Sequence, residues 1–303
     1  MKDIGQIRNS FPALKRKALN GKPAVYFDGP GASQMPNRVF RAYKDHVLND
    51  KANAGGYFET SVNTNEAVER ARAALALFFN CEENEVVLGA NATTSIFQMS
   101  RAISRDWNSE DEVVVTKLDH FANVSPWIET AKDKHCKITS IGFDTNTGEY
   151  NLNDFEKAIT HKTKIVAVNY ACNAIGTINP IKEITKIAHS YGAMVFVDAV
   201  HYAPHGLIDV QNLDCDFLVT SVYKYFGPHI SATYVQKEHL EKFQPYKVEP
   251  ASNDAPNRWE TGTPDFSAIA AIPSTIKYLI SLSGNTSPTR KNLEIAYQNI
   301  VEY

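Results

Sequence analysis

The sequence predicts an α/β fold, in which helices cover both faces of a mostly parallel sheet of the seven-stranded type. From about residue 65 onward, short β-branched runs alternate with amphipathic helical patterns, which is the order that repeated βαβ units produce. The runs are continuously apolar and do not alternate with polar residues, as expected for strands that are buried on both faces. With 303 residues, 43% of them hydrophobic and 21% charged, the chain can bury the core that such a fold needs.

The strands are predicted by these apolar runs: 85–88, 112–116, 164–170, 193–198, 216–221 and 231–236. The last two are joined by a short connection through "KYFGPHI", so we expect that pair to be antiparallel. Helical periodicity predicts helices near 65–80, 94–105, 122–134, 152–160, 181–191, 266–283 and 290–303. Residues 1–64 are rich in Gly, Pro and Asn and are predicted to be irregular.

Charge, cysteine content and hydropathy argue against several classes of protein. The formal net charge of -3 gives no electrostatic basis for binding nucleic acid or an anionic membrane. The four cysteines lie far apart without CxxC spacing, which indicates reduced thiols and neither a disulfide framework nor a zinc site. The N-terminus "MKDIGQIRNSF" lacks the apolar region of a signal peptide, and no apolar run approaches a membrane span. We therefore expect a cytoplasmic protein.

Polar side chains follow several of the predicted strands, at the point where each strand ends. They are His120, Asn173, Asp198, Ser221 and Lys224. In an open parallel sheet, ligands bind beyond the carboxyl ends of the strands. Separate strands therefore deliver these side chains to one edge, which indicates a single site.

The chemistry of these side chains matches one cofactor. Lys224, desolvated by flanking aromatic residues, is expected to have a lowered pKa, and a neutral amine condenses with an aldehyde to form a Schiff base. Asp198 at a strand end could keep a pyridine nitrogen protonated. The "ATTS" stretch opens a helix, so its amides and the hydroxyls of Thr93 and Thr94, with that of Ser221, could bind a phosphate. Aldehyde, pyridine and phosphate together describe pyridoxal 5'-phosphate.

Longer motifs around these residues resemble a known family. They are "LDHFANVSPW" (118–127), "NAIGTINP" (173–180), "VDAVHYAPH" (197–205), "SVYKYFGPH" (221–229) and "RWETGTP" (258–264). Their order and spacing resemble the class V aminotransferases, a family of fold-type-I pyridoxal-phosphate enzymes, in its cysteine desulfurase-like branch. The similarity runs from about residue 20 to 280. It implies an N-terminal arm (1–20), a cofactor-binding large domain (21–280) and a connecting helix (281–303).

The resemblance also implies a role for each site residue. Lys224 would form the Schiff base and then act as the base at the substrate Cα, while Asp198 would pair with the pyridine nitrogen. His120 would stack on the ring, and Asn173 and His201 would lie near its phenolic oxygen. The phosphate would be held by four hydroxyl-bearing side chains, which are Thr93, Thr94, Ser221 and Tyr223. Thr263 would reach the phosphate of a neighbouring subunit, since the family builds its sites across a homodimer.

The departures from the family pattern bear on activity. Desulfurases usually carry a glutamine where this chain has His201 and a histidine where it has Tyr223. The resemblance further implies a small C-terminal domain beyond the connecting helix, with an arginine for the substrate carboxylate and, in desulfurases, a sulfur-accepting cysteine. None of the cysteines in this sequence lies where that cysteine is expected, so desulfurase activity is not supported by these residues.

The sequence therefore leaves two hypotheses of different classes. The first is a pyridoxal-phosphate-dependent transferase or lyase that acts on an amino acid. The second is a truncated, non-catalytic homologue that keeps the cofactor-binding domain and the dimer surface. A metal site formed by Asp198, His201 and His205 is disfavoured, because Pro204 interrupts any helix that would align the two histidines. The "GPGAS" stretch (29–33) lacks the spacing of a nucleotide-binding loop, and we interpret its glycines as turn residues near the site entrance.

Overall fold

The computed structural model describes residues 3–303 and contains one seven-stranded sheet in this region. Its strands are β1 (Val86–Gly89), β2 (Glu112–Thr116), β3 (Lys137–Ile141), β4 (Thr163–Asn169), β5 (Met194–Asp198), β6 (Phe217–Ser221) and β7 (Ser231–Val235). They lie in the order β1-β7-β6-β5-β4-β2-β3. All neighbouring pairs are parallel except those of β7, which runs antiparallel to β1 and β6. The predicted α/β fold and the antiparallel closing pair are thus confirmed.

Helices connect and cover the strands. They are α1 (Ile4–Asn9), α2 (Asn37–Asn49), α3 (Glu59–Phe79), α4 (Ala92–Ile103), α5 (Ser125–Lys134), α6 (Leu152–Ala158), α7 (Ile181–Ser190), α8 (Val210–Leu213), α9 (Lys237–Lys242), α10 (Phe266–Ser281) and α11 (Arg290–Glu302). Short 3-10 turns lie between several elements, including Phe121–Asn123 and Val222–Tyr225. Within residues 3–303, no helix is both long and apolar enough to cross a membrane.

Several elements depart from the sequence prediction. The edge strand β3 was not predicted, because its sequence "KITSI" is largely exposed and lacks the apolar run of a buried strand. The prediction that residues 1–64 are irregular is wrong, since this region contains α1, α2 and the beginning of α3. The α2 sequence "NRVFRAYKDHVLN" is mostly polar, and its buried side chains are only Val39 and His46. It packs against α10, a tertiary contact that local sequence does not show.

The core consists of two apolar layers, one on each face of the sheet. One layer contains Leu75 and Phe78 of α3 together with Leu218 of β6, and the other contains Trp127 of α5 and Phe196 of β5. Strands β2, β6 and β7 are buried along their whole length. The sheet is therefore a rigid interior platform, and its carboxyl ends are held in fixed positions by packing on both faces.

Candidate active site

A cavity opens beyond the carboxyl ends of β2, β4, β5 and β6. It contains about 590 Å³ of space not filled by protein atoms, part of it open to solvent. Most of the predicted site residues line it: Thr93, His120, Asn173, Asp198, His201, Ser221, Tyr223 and Lys224. The structure thus brings together side chains from separate strands, as their positions at strand ends predict.

Lys224 lies in the 3-10 turn Val222–Tyr225, which follows β6 directly. The turn is closed by Gly227, whose amide donates to the Val222 carbonyl oxygen at 3.0 Å. A Cβ at Gly227 would lie 2.3 Å from Val222 Cγ1, so only glycine fits there. Lys224 Nζ donates a hydrogen bond to the Pro30 carbonyl oxygen. Partial burial lowers the pKa of Lys224, although the carboxylates of Asp198 and Asp28 oppose this shift.

Asp198 ends β5 and is buried. Its Oδ1 accepts a hydrogen bond from the backbone N–H of Val200 at 2.8 Å, which fixes the side chain toward the cavity. Burial raises the pKa of Asp198, and the positive charge of His120 or Lys224 limits the rise. A cationic group in the cavity would therefore stabilise the ionised form of this carboxyl.

Asp119 is a cavity residue that the sequence interpretation missed. It lies between β2 and His120, and its Oδ2 accepts a hydrogen bond from Asn123 Nδ2 at 2.7 Å. Its Oδ1 is buried without a hydrogen-bond partner among the described residues. Burial, together with the nearby Asp198, raises the pKa of Asp119 well above its ordinary value. The signal was an acidic residue directly before the candidate histidine in "KLDH".

Two histidines line the cavity in different states. His120 is exposed at the start of the turn Phe121–Asn123, and its Nδ1 accepts a hydrogen bond from the N–H of Ala122 at 3.0 Å. This bond assigns the proton of the neutral ring to Nε2. His201 is partly buried, its Nδ1 has no partner within residues 3–303, and burial lowers its pKa with help from His205 and Lys224. Near neutral pH, His201 therefore presents a neutral ring.

The beginning of α4 provides amide donors to the cavity. Asn91 caps the helix, and its Oδ1 accepts from the N–H of Thr94 at 2.9 Å. The amides of Ala92 and Thr93 lie in the first turn of α4, ahead of the helix's own hydrogen bonds, and form the positive end of its dipole, which favours an anion. Ser221 and Tyr223 add hydroxyl groups to this wall of the cavity.

Two predicted residues do not line the cavity. Thr94 lies in the first turn of α4, but its side chain is exposed outside the cavity wall. Thr263 lines a separate surface groove together with Arg72 and Glu260. The structure also shows no group of three or more His, Cys, Asp or Glu side chains arranged to hold a metal ion within residues 3–303.

Comparisons with known proteins give consistent results. Residues 25–302 match the family described as Aminotransferase class-V. The chain is 33% identical to a probable cysteine desulfurase of Halalkalibacterium halodurans, over 90% of this chain and 71% of that protein. It is 31% identical to a probable cysteine desulfurase of Borreliella burgdorferi, over 91% of this chain and 70% of that protein. The apo structure of cysteine desulfurase from Thermococcus onnurineus NA1 superposes with a TM-score of 0.84 and 28% identity, covering 92% of this chain and 71% of that one.

Proposed function

We propose, from the premise that this chain belongs to the aminotransferase class-V family, that its cavity binds pyridoxal 5'-phosphate and acts on an amino acid. The family consists of pyridoxal-phosphate-dependent transferases and lyases. One observation carries the proposal for this chain. The half-buried amine of Lys224, the buried carboxylate of Asp198 and the amide donors at the start of α4 line the same cavity.

The donors in the cavity fit the cofactor group by group. The amides of Ala92 and Thr93, with the hydroxyls of Thr93, Ser221 and Tyr223, would hold a phosphate dianion. The Asp198 carboxylate would accept a hydrogen bond from a pyridine nitrogen and so keep that nitrogen protonated. His201 would serve a phenolic oxygen, and its buried Nδ1 lacks any partner among the described residues.

The protein groups supply binding, orientation and proton transfer. When bound, pyridoxal phosphate supplies an aldehyde that condenses with amines and a ring that withdraws electrons from the substrate Cα. The lowered pKa of Lys224 increases the fraction of neutral amine, so Nζ can accept a proton from the substrate Cα. The Asp198 carboxylate lines the same cavity, where a cationic group would stabilise its ionised form. His120 lines the cavity and would orient the ring of the bound cofactor.

The proposed assembly is a homodimer. Large apolar side chains are exposed in the region before α3, with Phe27 at 95%, Tyr57 at 102% and Phe58 at 61% exposure. A second copy covering them would remove an unfavourable apolar surface from water. Thr263, which lies outside this chain's own cavity, would then be available to the site of that second copy.

The substrate class is an amino acid, and a cysteine-derived persulfide relay is not part of the proposal. No cysteine lines the cavity among the described residues. Burial raises the pKa of the Cys81, Cys136 and Cys215 thiols, which makes them poor nucleophiles. We further propose a cytoplasmic location, in keeping with the four free thiols.

A second candidate function is cofactor binding without turnover. Within the described chain, no arginine lines the cavity, so the structure offers no bidentate partner for a substrate carboxylate there. Under this alternative, Lys224 and Asp198 would still hold the cofactor.

An absorbance titration with pyridoxal phosphate, followed by borohydride reduction and peptide mapping, tests the proposal. We expect a Schiff-base absorbance band that differs from that of free pyridoxal phosphate, and a pyridoxyl mass on Lys224 after reduction. Lys224→Ala should show neither this band nor a site-specific pyridoxyl mass. Lys277 of helix α10 is exposed and does not line the cavity, so Lys277→Ala provides the matched control and should keep the Schiff-base band. A Schiff-base band that persists in Lys224→Ala, or label scattered over other lysines, would refute the proposal. Spectral changes on adding amino acids then separate turnover from binding alone.

A further inference from the structure

A loop that is distant in sequence is hydrogen-bonded to the turn that carries Lys224. This loop, residues 28–33, is "DGPGAS", and we call it the 28–33 loop. Ser33 and Tyr223 are 190 positions apart, yet their groups are hydrogen-bonded. The 28–33 loop has no helix or strand of its own, so its position depends on such contacts.

The Ser33 hydroxyl bonds the backbone on both sides of Lys224. Oγ donates to the Tyr223 carbonyl oxygen at 2.7 Å and accepts from the Phe226 N–H at 2.7 Å. The Ser33 N–H adds a longer bond to the same Tyr223 oxygen at 3.3 Å. The Tyr223 carbonyl belongs to the peptide group that leads directly into Lys224. Phe226 has φ at 76°, a left-handed conformation that a bulky residue adopts only when its surroundings hold it.

The 28–33 loop has a defined shape that places two more groups near the amine. The N–H groups of Gly31 and Ala32 both donate to the Asp28 carbonyl oxygen at 3.1 Å. A Cβ at Gly31 would lie 2.3 Å from Asp28 Oδ2, so the Asp28 carboxylate folds over the glycine. From this tight turn, the Pro30 carbonyl oxygen accepts the hydrogen bond of Lys224 Nζ.

We propose that Ser33 is a positioning residue, which couples the 28–33 loop to the Lys224 turn and so sets the environment of the Lys224 amine. The inference rests on the proposed function, in which that amine binds the cofactor aldehyde. Without the hydroxyl, the 28–33 loop loses its two short bonds to the turn. The 28–33 loop, which partly buries Lys224 Nζ and supplies its Pro30 acceptor, then becomes mobile.

The matched substitutions Ser33→Thr and Ser33→Val test this, because their side chains have the same shape and only Thr keeps a hydroxyl. The first measurement uses the cofactor-free chain. Competitive labelling with acetic anhydride across a pH series, read by mass spectrometry, gives the titration midpoint of Lys224. Burial is the largest influence on this amine, so we expect the midpoint to move upward in Ser33→Val as cover is lost, and to stay at the wild-type position in Ser33→Thr.

The second measurement is the dissociation constant for pyridoxal phosphate, from the absorbance titration. We expect it to rise about tenfold in Ser33→Val, because two hydrogen bonds of ordinary strength are lost together. Ser33→Thr should restore tight binding. Ser190→Ala is the control, since Ser190 Oγ donates only to the Ile187 carbonyl in its own helix at 2.7 Å. Should Ser33→Val fail to fold, the smaller Ser33→Ala replaces it.

Two results would overturn the assignment. One is a Lys224 midpoint in Ser33→Val that is unchanged or lowered. The other is an equal effect of Thr and Val, which would show that the hydroxyl is not responsible. Failure of the proposed function is a separate outcome, because it would appear as no chromophore in the wild-type chain, and the labelling midpoint does not require the cofactor.

Discussion

At the scale of single residues, two carboxylates share the cavity and should differ in charge. Asp119 and Asp198 are both desolvated, and the nearby Asp198 further disfavours ionisation of Asp119. Asp198 is near the Lys224 ammonium, which favours its ionised form, whereas the pKa of Asp119 is raised well above its ordinary value. We therefore expect Asp119 to hold a proton at neutral pH and Asp198 to be the group that meets a cationic ring.

The matched substitutions Asp119→Asn and Asp198→Asn test this division. An amide resembles a protonated carboxyl, so Asp119→Asn should change cofactor affinity little. Asp198→Asn should weaken binding about tenfold or more, because a hydrogen bond to a charged group contributes about 1.5–3 kcal/mol. Absorbance titration measures both. Equal losses in the two variants would mean that Asp119 is also ionised in the bound site.

Sequence reasoning located most residues of this cavity because strand ends converge on one edge of a parallel sheet. Lys224, Asp198 and His120 follow apolar runs that are visible in the sequence. The importance of Asp119 could not be seen, since its unusual environment arises from Asp198 on another strand. Ser33 was not singled out in the "GPGAS" stretch, because its partners lie 190 positions away or more.

At the scale of elements, Asp216 ties two helices to the amino ends of the strands, opposite the cavity. Its Oδ2 accepts from His189 Nε2 on α7 at 2.9 Å and from the Val195 N–H on β5 at 2.7 Å. Its Oδ1 accepts from His239 Nε2 on α9 at 2.6 Å. These bonds lower the pKa of Asp216 to about 2, despite burial, and the bond to Asp216 raises the pKa of His189.

The contribution of Asp216 to stability should depend on pH in a defined window. Because the pKa of the Asp216 carboxyl is lowered, its ionised form stabilises the fold above pH 3.8. This stabilisation is lost as the pH falls toward about 2. Because the pKa of His189 is raised, its protonated form stabilises the fold below pH 6.5. This stabilisation is lost as the pH rises through the pKa of His189 in the folded protein. The stability difference between wild type and Asp216→Asn should therefore be largest between pH 3.8 and 6.5.

Urea unfolding at a series of pH values measures that difference. Asp214→Asn is the control, since Asp214 is 75% exposed and lies 3.6 Å from His189 Nδ1. Its effect should be smaller throughout. If the free energy of unfolding differs between wild type and Asp216→Asn by the same amount at every pH, the titrations assigned to Asp216 and His189 are wrong.

A buried ion pair fixes the segment that leads to Thr263. Arg72 of α3 donates to Glu260 Oε1 at 2.7 Å, and the same oxygen accepts from the Leu88 N–H of β1 at 2.8 Å. Burial raises the pKa of Glu260, and the adjacent Arg72 limits the rise. Glu260→Ala should lower the free energy of unfolding by about 3–5 kcal/mol, because it leaves Arg72 buried and uncompensated.

An exposed pair on the same helix provides the comparison for this prediction. Glu66 and Arg70 are 2.9 Å apart with side chains more than half exposed, so Glu66→Ala should cost about 0.5 kcal/mol or less. Denaturant melts of both variants measure the difference. Similar losses at the two sites would mean that the Arg72–Glu260 pair is not desolvated in solution.

Whether a helix or strand could be predicted depended on how much of it is specified by its own local sequence. Strand β5, fully buried after Met194, was predicted from its apolar run, whereas edge strand β3 has an exposed pattern that looks like a loop. Helix α2 was missed because it is polar and is stabilised by packing against α10, which lies far away in sequence. Local pattern thus predicts the interior of this sheet and not its periphery.

At the scale of the whole molecule, the separation of Thr263 from the cavity bears on how a site is assembled. Within one chain, Thr263 lines a groove that does not include Lys224. In the proposed homodimer, each site would combine Lys224 of one copy with Thr263 of the other. Single variants cannot distinguish this from an indirect effect, because a homodimer carries the same change in both sites.

Mixing two variants that each fail to be labelled at Lys224 distinguishes a site shared between two chains from a site within one chain. Lys224→Ala lacks the amine, and Thr263→Glu should repel the phosphate by placing a like charge beside it. Each alone should bind little cofactor. In a mixed dimer, one site would combine both changes, while the other would combine the intact Lys224 of one chain with the intact Thr263 of the other. Unfolding and refolding the two together should therefore restore borohydride labelling of Lys224 in the Thr263→Glu chain. Because random reassociation forms at most about half mixed dimers, labelling should reach about a quarter of the wild-type level per chain. If mass analysis shows mixed dimers but Lys224 labelling does not recover, Thr263 contributes to the site of its own chain or to no site.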